Sequence, residues 1–319
     1  MKGKQLRSNL LRIGLSLFTL ALVLWTVGWR DVLAVLRAAE WRLLGLAWLL
    51  FLVGIVIRTY RWRALLHGLG LRPPLLQLLR LYLVGGFFNA FLPTGFGGDV
   101  VRVLELTQDA AADDLAAAVG TVLVDRLTGI LSLLALGLLV LPFTPALPSW
   151  ILWTLALVCV GGLLGGALLL EGRLLRRLTS RLPGSLALVG EGKLAQVYAA
   201  ITGCGPHAIG EALALSTLFN LFNIAIYWLC ALAVGIPIGL GFYFVATPLL
   251  SLTLLVPISV AGLGVRDAVA LALYTAAGIP AELSAGMSLS VYAVTAAAGL
   301  IGGALYLVRA LREVLTPRR

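Results

Sequence analysis

Apolar residues fall in long runs along this chain, at approximately 13–27, 41–57, 76–92, 115–141, 150–170, 211–234, 239–256 and 283–308. A helix that crosses the hydrocarbon core of a bilayer needs about 20 apolar residues, and most of these runs qualify. Two differ. The runs 76–92 and 239–256 are short and stop at a proline, Pro93 or Pro257, after which the chain continues as a glycine-rich stretch ending in charge. The first run follows Lys2, Lys4, Arg7 and Arg12 as a signal peptide would, but Leu24-Trp25-Thr26-Val27 is too bulky for a small-residue cleavage site. It is expected to be a retained first span.

Composition sharpens this picture. Of 319 residues, 61% are hydrophobic and 12% charged, whereas a soluble domain carries about 45–50% apolar and about 25% charged residues. A water-soluble globular enzyme, a disordered chain and a disulfide-stapled secreted module are all excluded, and a polytopic membrane protein is implied. Cys159, Cys204 and Cys230 lie far apart, and His67 and His207 share no ligand spacing with them. No metal, disulfide or cofactor is therefore expected. The glycine runs follow no β-strand, so they form no dinucleotide fingerprint. The net charge of +10 is read as cytoplasmic loops facing anionic membrane lipids, with no nucleic-acid partner.

Basic residues also set the expected orientation. Four Lys/Arg lie in the N-terminal tail, five arginines in 58–80, five Lys/Arg in 171–210 and four arginines in the C-terminal tail, while 142–149 and 235–239 carry no charge. If every run crossed fully, the basic 171–210 segment would fall outside, against the positive-inside tendency. If the two proline-broken runs are re-entrant hairpins, every basic segment and both termini become cytoplasmic. The expected fold is thus an all-α polytopic membrane protein, one integral domain over 1–319, with six full spans and two re-entrant hairpins. Within 171–210, Arg173, Arg176, Arg177 and Arg181 share a helical face beside Leu174, Leu178 and Leu182. This is either an interfacial helix on anionic headgroups or a solvated linker.

One motif occurs twice. Residues 93–102 read Pro-Thr-Gly-Phe-Gly-Gly-Asp-Val-Val-Arg and residues 257–266 read Pro-Ile-Ser-Val-Ala-Gly-Leu-Gly-Val-Arg. Pro93 matches Pro257, Gly98 matches Gly262, Val101 matches Val265 and Arg102 matches Arg266, all at an offset of 164. Gly95/Ser259 and Gly97/Ala261 are small in both copies, and Gly264 is a further glycine of the second. With hairpins of opposite orientation, this indicates inverted repeats over roughly 41–141 and 211–308. Proline ends the incoming half-helix and glycine permits a tight turn. The freed backbone groups must be buried in protein or line a wet cavity. Half-helix N-termini near Gly98 and Gly262, with Arg102 and Arg266 a turn further on, would make a basic pocket for an anionic headgroup such as phosphate. The alternative is structural pairing of these arginines with Asp99 and Asp267. Asp125-Arg126 lies mid-span in 115–141, where it either lines the cavity or locks its helix to a neighbour. Asn89, Asn220 and Asn223 are weaker candidates, since asparagine often serves as helix–helix glue.

The run Arg58-Thr59-Tyr60-Arg61-Trp62-Arg63, the stretch from Phe87 through Asn89 and Pro93 to Arg102, Asp125-Arg126-Leu127 and Gly262-Leu263-Gly264-Val265-Arg266-Asp267 resemble the flippase-like transmembrane family that includes the membrane domain of lysylphosphatidylglycerol synthases. The resemblance covers almost the whole chain. It implies a flippase that moves a polar- or anionic-headgroup phospholipid between leaflets of a prokaryotic cytoplasmic membrane. Glu105, Asp109, Asp113 and Asp114 depart from the basic residues expected after Arg102, so the headgroup is expected to differ from that of the relatives. A secondary transporter of a small soluble anion shares the same repeat logic. An aminoacyl-lipid synthase is the third reading. Synthase chemistry in relatives belongs to an additional soluble domain, and this sequence stops at Arg319 after its last apolar run, so no enzymatic activity is expected. Oligomeric state is not legible.

Overall fold

The computed structural model describes residues 25, 28–91, 97–108, 115–143, 149–179, 188, 192–253 and 265–315. Among the described residues there are twelve α-helices and no strand. They are α1 (Trp29–Ala38), α2 (Trp41–Gly68), α3 (Leu75–Phe91), α4 (Gly97–Gln108), α5 (Leu115–Val140) and α6 (Ser149–Glu171). After these come α7 (Arg173–Thr179), α8 (Lys193–Gly203), α9 (Gly205–Ala233), α10 (Leu240–Thr253), α11 (Val265–Ala276) and α12 (Ala281–Leu315). Five stretches are long and apolar enough to cross a membrane: Trp41–Gly68, Leu115–Val140, Leu152–Glu171, Gly205–Ala233 and Ala281–Arg309. The chain is an all-α polytopic membrane protein. The first apolar run, 13–27, lies outside the described residues.

Two long helices extend beyond their apolar runs. α2 continues past residue 57 to Gly68, and α9 starts at Gly205, with Pro206 in its first turn. Both stop in the same way. Gly70 (φ 78°) and Gly235 (φ 83°) take the left-handed conformation after the last turn. The Leu71 N–H then reaches the Leu66 carbonyl (3.0 Å), and the Ile236 N–H reaches Ala231 (2.9 Å). This satisfies carbonyls a helix end would otherwise leave bare.

α2 and α9 form the central pair. The Glu40 N–H meets the Ala233 carbonyl at one end (2.8 Å), Arg61 meets Ser216 midway (3.1 Å), and Gly68 lies against Cys204 at the other end. The two helices therefore run antiparallel. Each is followed by a pair of short helices. In the first, Gly85 of α3 packs on Gly98 of α4 and Arg80 pairs with Glu105 (3.5 Å), so α4 folds back along α3. In the second, Phe242 of α10 packs edge-on against Tyr274 of α11, centroids 5.2 Å apart, and α11 folds back along α10. The proline-glycine connections 92–96 and 254–264 lie outside the described residues.

The same order of long, short, short and long helix thus recurs. α9, α10, α11 and α12 begin 164, 165, 168 and 166 positions after α2, α3, α4 and α5. Close approaches recur as well. Gly302 of α12 packs on Leu83 of α3, and Gly137 of α5 packs on Pro248 of α10, with both members of the second pair displaced by 165 positions.

The outer surface is greasy, with Trp153 77%, Leu157 74% and Leu139 68% exposed. Side chains of this kind at such exposure suit lipid and not water. The main apolar core gathers Ile224, Tyr227, Tyr243, Tyr274 and Met287 where α9 to α12 meet. Polar side chains concentrate between the halves.

Candidate functional site

The charged residues of α2, α4 and α5 converge on Asp125, which is 1% exposed. Arg61 donates from Nε to its Oδ1 (2.6 Å), while the Tyr82 hydroxyl (2.6 Å) and Arg102 Nη2 (3.4 Å) donate to Oδ2. Arg102 also donates to Asp99 (3.3 Å), and Asp99 accepts from Arg126. Asp125 and Arg126 are neighbours in sequence but point to different partners, because successive helix positions diverge by about 100°. Together they tie α5 to α2 and α4 while facing a cavity.

Aromatic rings supply the rest of the support. The Arg102 guanidinium lies 4.2 Å from the centre of Trp62 and 3.8 Å from that of Tyr82. Arg58 is held between Tyr82 (5.3 Å) and Phe219 (4.9 Å). Contacts of this type attract a cation without neutralising it.

Backbone geometry explains Asn89 and Gly98. The Gly98 N–H, in the first turn of α4, donates to Asn89 Oδ1 (2.9 Å). A Cβ at Gly98 would collide with the Gly85 carbonyl oxygen. Only glycine lets α4 start this close to α3, and that start places Asp99 and Arg102 one turn on. Asn220 acts as helix glue, donating to the Gly129 carbonyl (2.9 Å).

The second half contributes less charge. Arg266 is 4% exposed, donates to the Ser288 carbonyl (3.1 Å) and lies 3.8 Å from Asp267. The Ser288 hydroxyl donates to Asp267.

A cavity of about 360 Å³ lies between the halves. Of the residues singled out in the sequence, Asn89, Asp99, Arg102, Asp125, Arg126, Asn220, Asn223 and Arg266 line it. Gly97, Gly98 and Asp267 are not among the lining residues; Gly98 sits at the α3–α4 contact and Asp267 beside Arg266. Pro93, Pro257, Ser259, Gly262 and Gly264 lie outside the described residues. Sequence reasoning gave no site role to Arg58, Arg61 or Tyr82, which also line the cavity. Run boundaries place Arg58 and Arg61 in a basic loop, although their i, i+3 spacing puts them on one helix face. Among the described residues, no group of three His, Cys, Asp or Glu could hold a metal.

Fold and cavity define a polytopic helical membrane protein with an arginine-rich chamber between its halves. Its family follows from sequence comparison. Residues 9–303 match the family described as the lysylphosphatidylglycerol synthase TM region, and the chain belongs to that family. It is also 24% identical over 123 residues to a UPF0104 membrane protein of Pyrococcus horikoshii. That match covers 38% of this chain and 36% of the relative, so the chain spans about a third of that relative's length.

Proposed function

We propose that this protein moves a phospholipid with a polar or anionic headgroup between the leaflets of a prokaryotic cytoplasmic membrane, without chemical change to the lipid. The observation that carries this reading is the shared cavity, where Arg102 and Arg266 come from opposite halves of the chain to one chamber. Intramembrane arginines are costly and mark substrate pathways, and broken helices in corresponding halves mark transport sites.

In this reading α2–α5 and α9–α12 are inverted repeats, supported by their recurring helix order and the antiparallel α2 and α9. α3–α4 and α10–α11 are re-entrant hairpins. Their second helices have 12 residues each, a length of about 18 Å, against a hydrocarbon core of about 30 Å. Six spans then place both termini and the basic 171–210 segment in the cytoplasm. A small soluble anion is the second reading, favoured by a cavity volume that admits one.

Reconstituted protein separates the two, with leaflet exchange of labelled lipid measured beside uptake of labelled phosphate. Arg102→Lys and Arg266→Lys are expected to lower exchange per folded molecule about ten- to a hundredfold, since an ammonium lacks the planar fork of a guanidinium. Unchanged exchange with lowered thermal stability in both variants would make the arginines scaffolding. Phosphate uptake without lipid exchange would decide for the soluble anion.

A further inference from the structure

The lining charges do not balance. Five arginines (Arg58, Arg61, Arg102, Arg126 and Arg266) face the cavity against two aspartates, Asp99 and Asp125. Asp267 beside Arg266 offsets one more, which leaves two guanidinium charges in excess. Both lining aspartates are already committed. Asp125 accepts from Arg61, Arg102 and Tyr82, and Asp99 accepts from Arg102 and Arg126. Neither carboxylate is left to receive an ammonium.

Arg58 is the clearest source of the excess. It has no carboxylate in salt-bridge contact among the described residues, its Nε lacks a hydrogen-bond partner, and rings hold it in place. The Nε atoms of Arg102 and Arg266 are likewise buried without an acceptor. The three arginines, from α2, α4 and α11, all line the one chamber.

We infer that the cavity takes a headgroup carrying at least two negative charges, a phosphomonoester or a diphosphate, and selects against aminoacylated lipids. This rests on the lipid-transport reading for its lipid source, but the charge chemistry is independent of it. A phosphodiester brings one negative charge and leaves one partly desolvated guanidinium of the cavity without a counter-charge, which is unfavourable. A lysyl headgroup brings an ammonium into an arginine-lined chamber with no free acid. The name of the family points to such a lipid; the lining of this chain does not suit one.

The test is binding to the full chain in detergent, read by thermal stabilisation at pH 5 and pH 8. The probes are phosphatidate, phosphatidylglycerol, lysylphosphatidylglycerol and inorganic pyrophosphate. Phosphatidate is expected to bind at least about tenfold tighter than phosphatidylglycerol at pH 8, because the guanidiniums stay charged while the monoester loses its second proton near pH 6. That advantage should shrink at pH 5. Arg58→Gln should weaken phosphatidate binding about ten- to a hundredfold and so remove the advantage.

Equal affinity for monoester and diester, no pH dependence in the wild type, or tighter binding of lysylphosphatidylglycerol would overturn the inference. The wild-type titration decides even if Arg58→Gln fails to fold. Leaflet exchange measured in parallel keeps the two readings apart. Exchange with no monoester preference sinks the charge inference alone, whereas preference without exchange supports it and removes lipid transport. Pyrophosphate binding with no phosphatidate binding supports the charge chemistry with a soluble source.

Discussion

The two four-helix halves share an order of elements but not a distribution of charge. α2–α5 supply six of the seven charged residues that line the cavity, and α9–α12 supply Arg266 alone. At the offset of 164, Arg58 corresponds to Phe222 and Arg61 to Ala225, while Arg102 corresponds to Arg266. The doubled framework provides two packed bodies with a space between them. The charge that lines this space lies mostly on one body, which forms a basic wall. The other body adds one arginine and a polar surface of Asn220, Asn223, Tyr227 and Tyr292.

The sharpest way to break this comparison is to remove an aspartate from each half. Asp125→Ala strips the acceptor from Arg61, Arg102 and Tyr82, leaving two buried guanidiniums short of their partner. A loss of about 3–5 kcal/mol is expected. Asp267→Ala leaves Arg266 with the Ser288 carbonyl, and about 1–3 kcal/mol is expected. Equilibrium unfolding in detergent reads both. Equal losses would show that the second half holds its arginine as firmly as the first.

Helix contacts between the halves give a second, smaller contrast. A Cβ at Gly302 would collide with the Leu83 carbonyl oxygen, whereas at Gly137 it would lie 3.1 Å from Pro248 Cγ. Gly302→Ala must push α12 off the α3 backbone, for about 1–3 kcal/mol of strain. Gly137→Ala meets a side-chain edge and should change stability by less than about 1 kcal/mol. The expected result is a lowered Tm for the first and a nearly unchanged Tm for the second. A reversed order would mean that the corresponding contacts are not packed as described.

Much of this architecture was legible in the sequence. The apolar runs among the described residues are helices, the two short runs are the first arms of short helix pairs, and Arg102 and Arg266, matched by the repeated Pro-to-Arg spacing, line one cavity. What escaped was the buried charge of α2. Hydropathy counts an arginine as an end of a span and so places Arg58 and Arg61 in a loop, although α2 continues to Gly68. Rings could have signalled otherwise, since Trp62 lies beside Arg61 in sequence and carries Arg102 in space. The partner exchange between Asp125 and Arg126 was hidden for a different reason. Adjacency along a helix says little about contact, and the true partners lie on α2, α3 and α4.

The smallest expected effect concerns a charged tie between the halves away from the cavity. Glu105 of α4 accepts from Arg309 of α12 (3.0 Å) and pairs with Arg80 of α3 (3.5 Å). Its counterpart at the offset of 164 is Val269, so α11 has no equivalent carboxylate. The arginine side chains are 29% and 31% exposed, which puts this pair in solvent-screened surroundings unlike those of Asp125. Arg309→Gln should therefore cost only about 0.2–1 kcal/mol. The wild type should lose a similar amount between 0.1 M and 1 M salt, where the screening length falls from about 10 Å to about 3 Å, and the variant should lose less. A loss well above 2 kcal/mol, insensitive to salt, would show that α12 is fastened to α4 by a desolvated pair. Charge would then stabilise the contact between the halves as strongly as it does the first half.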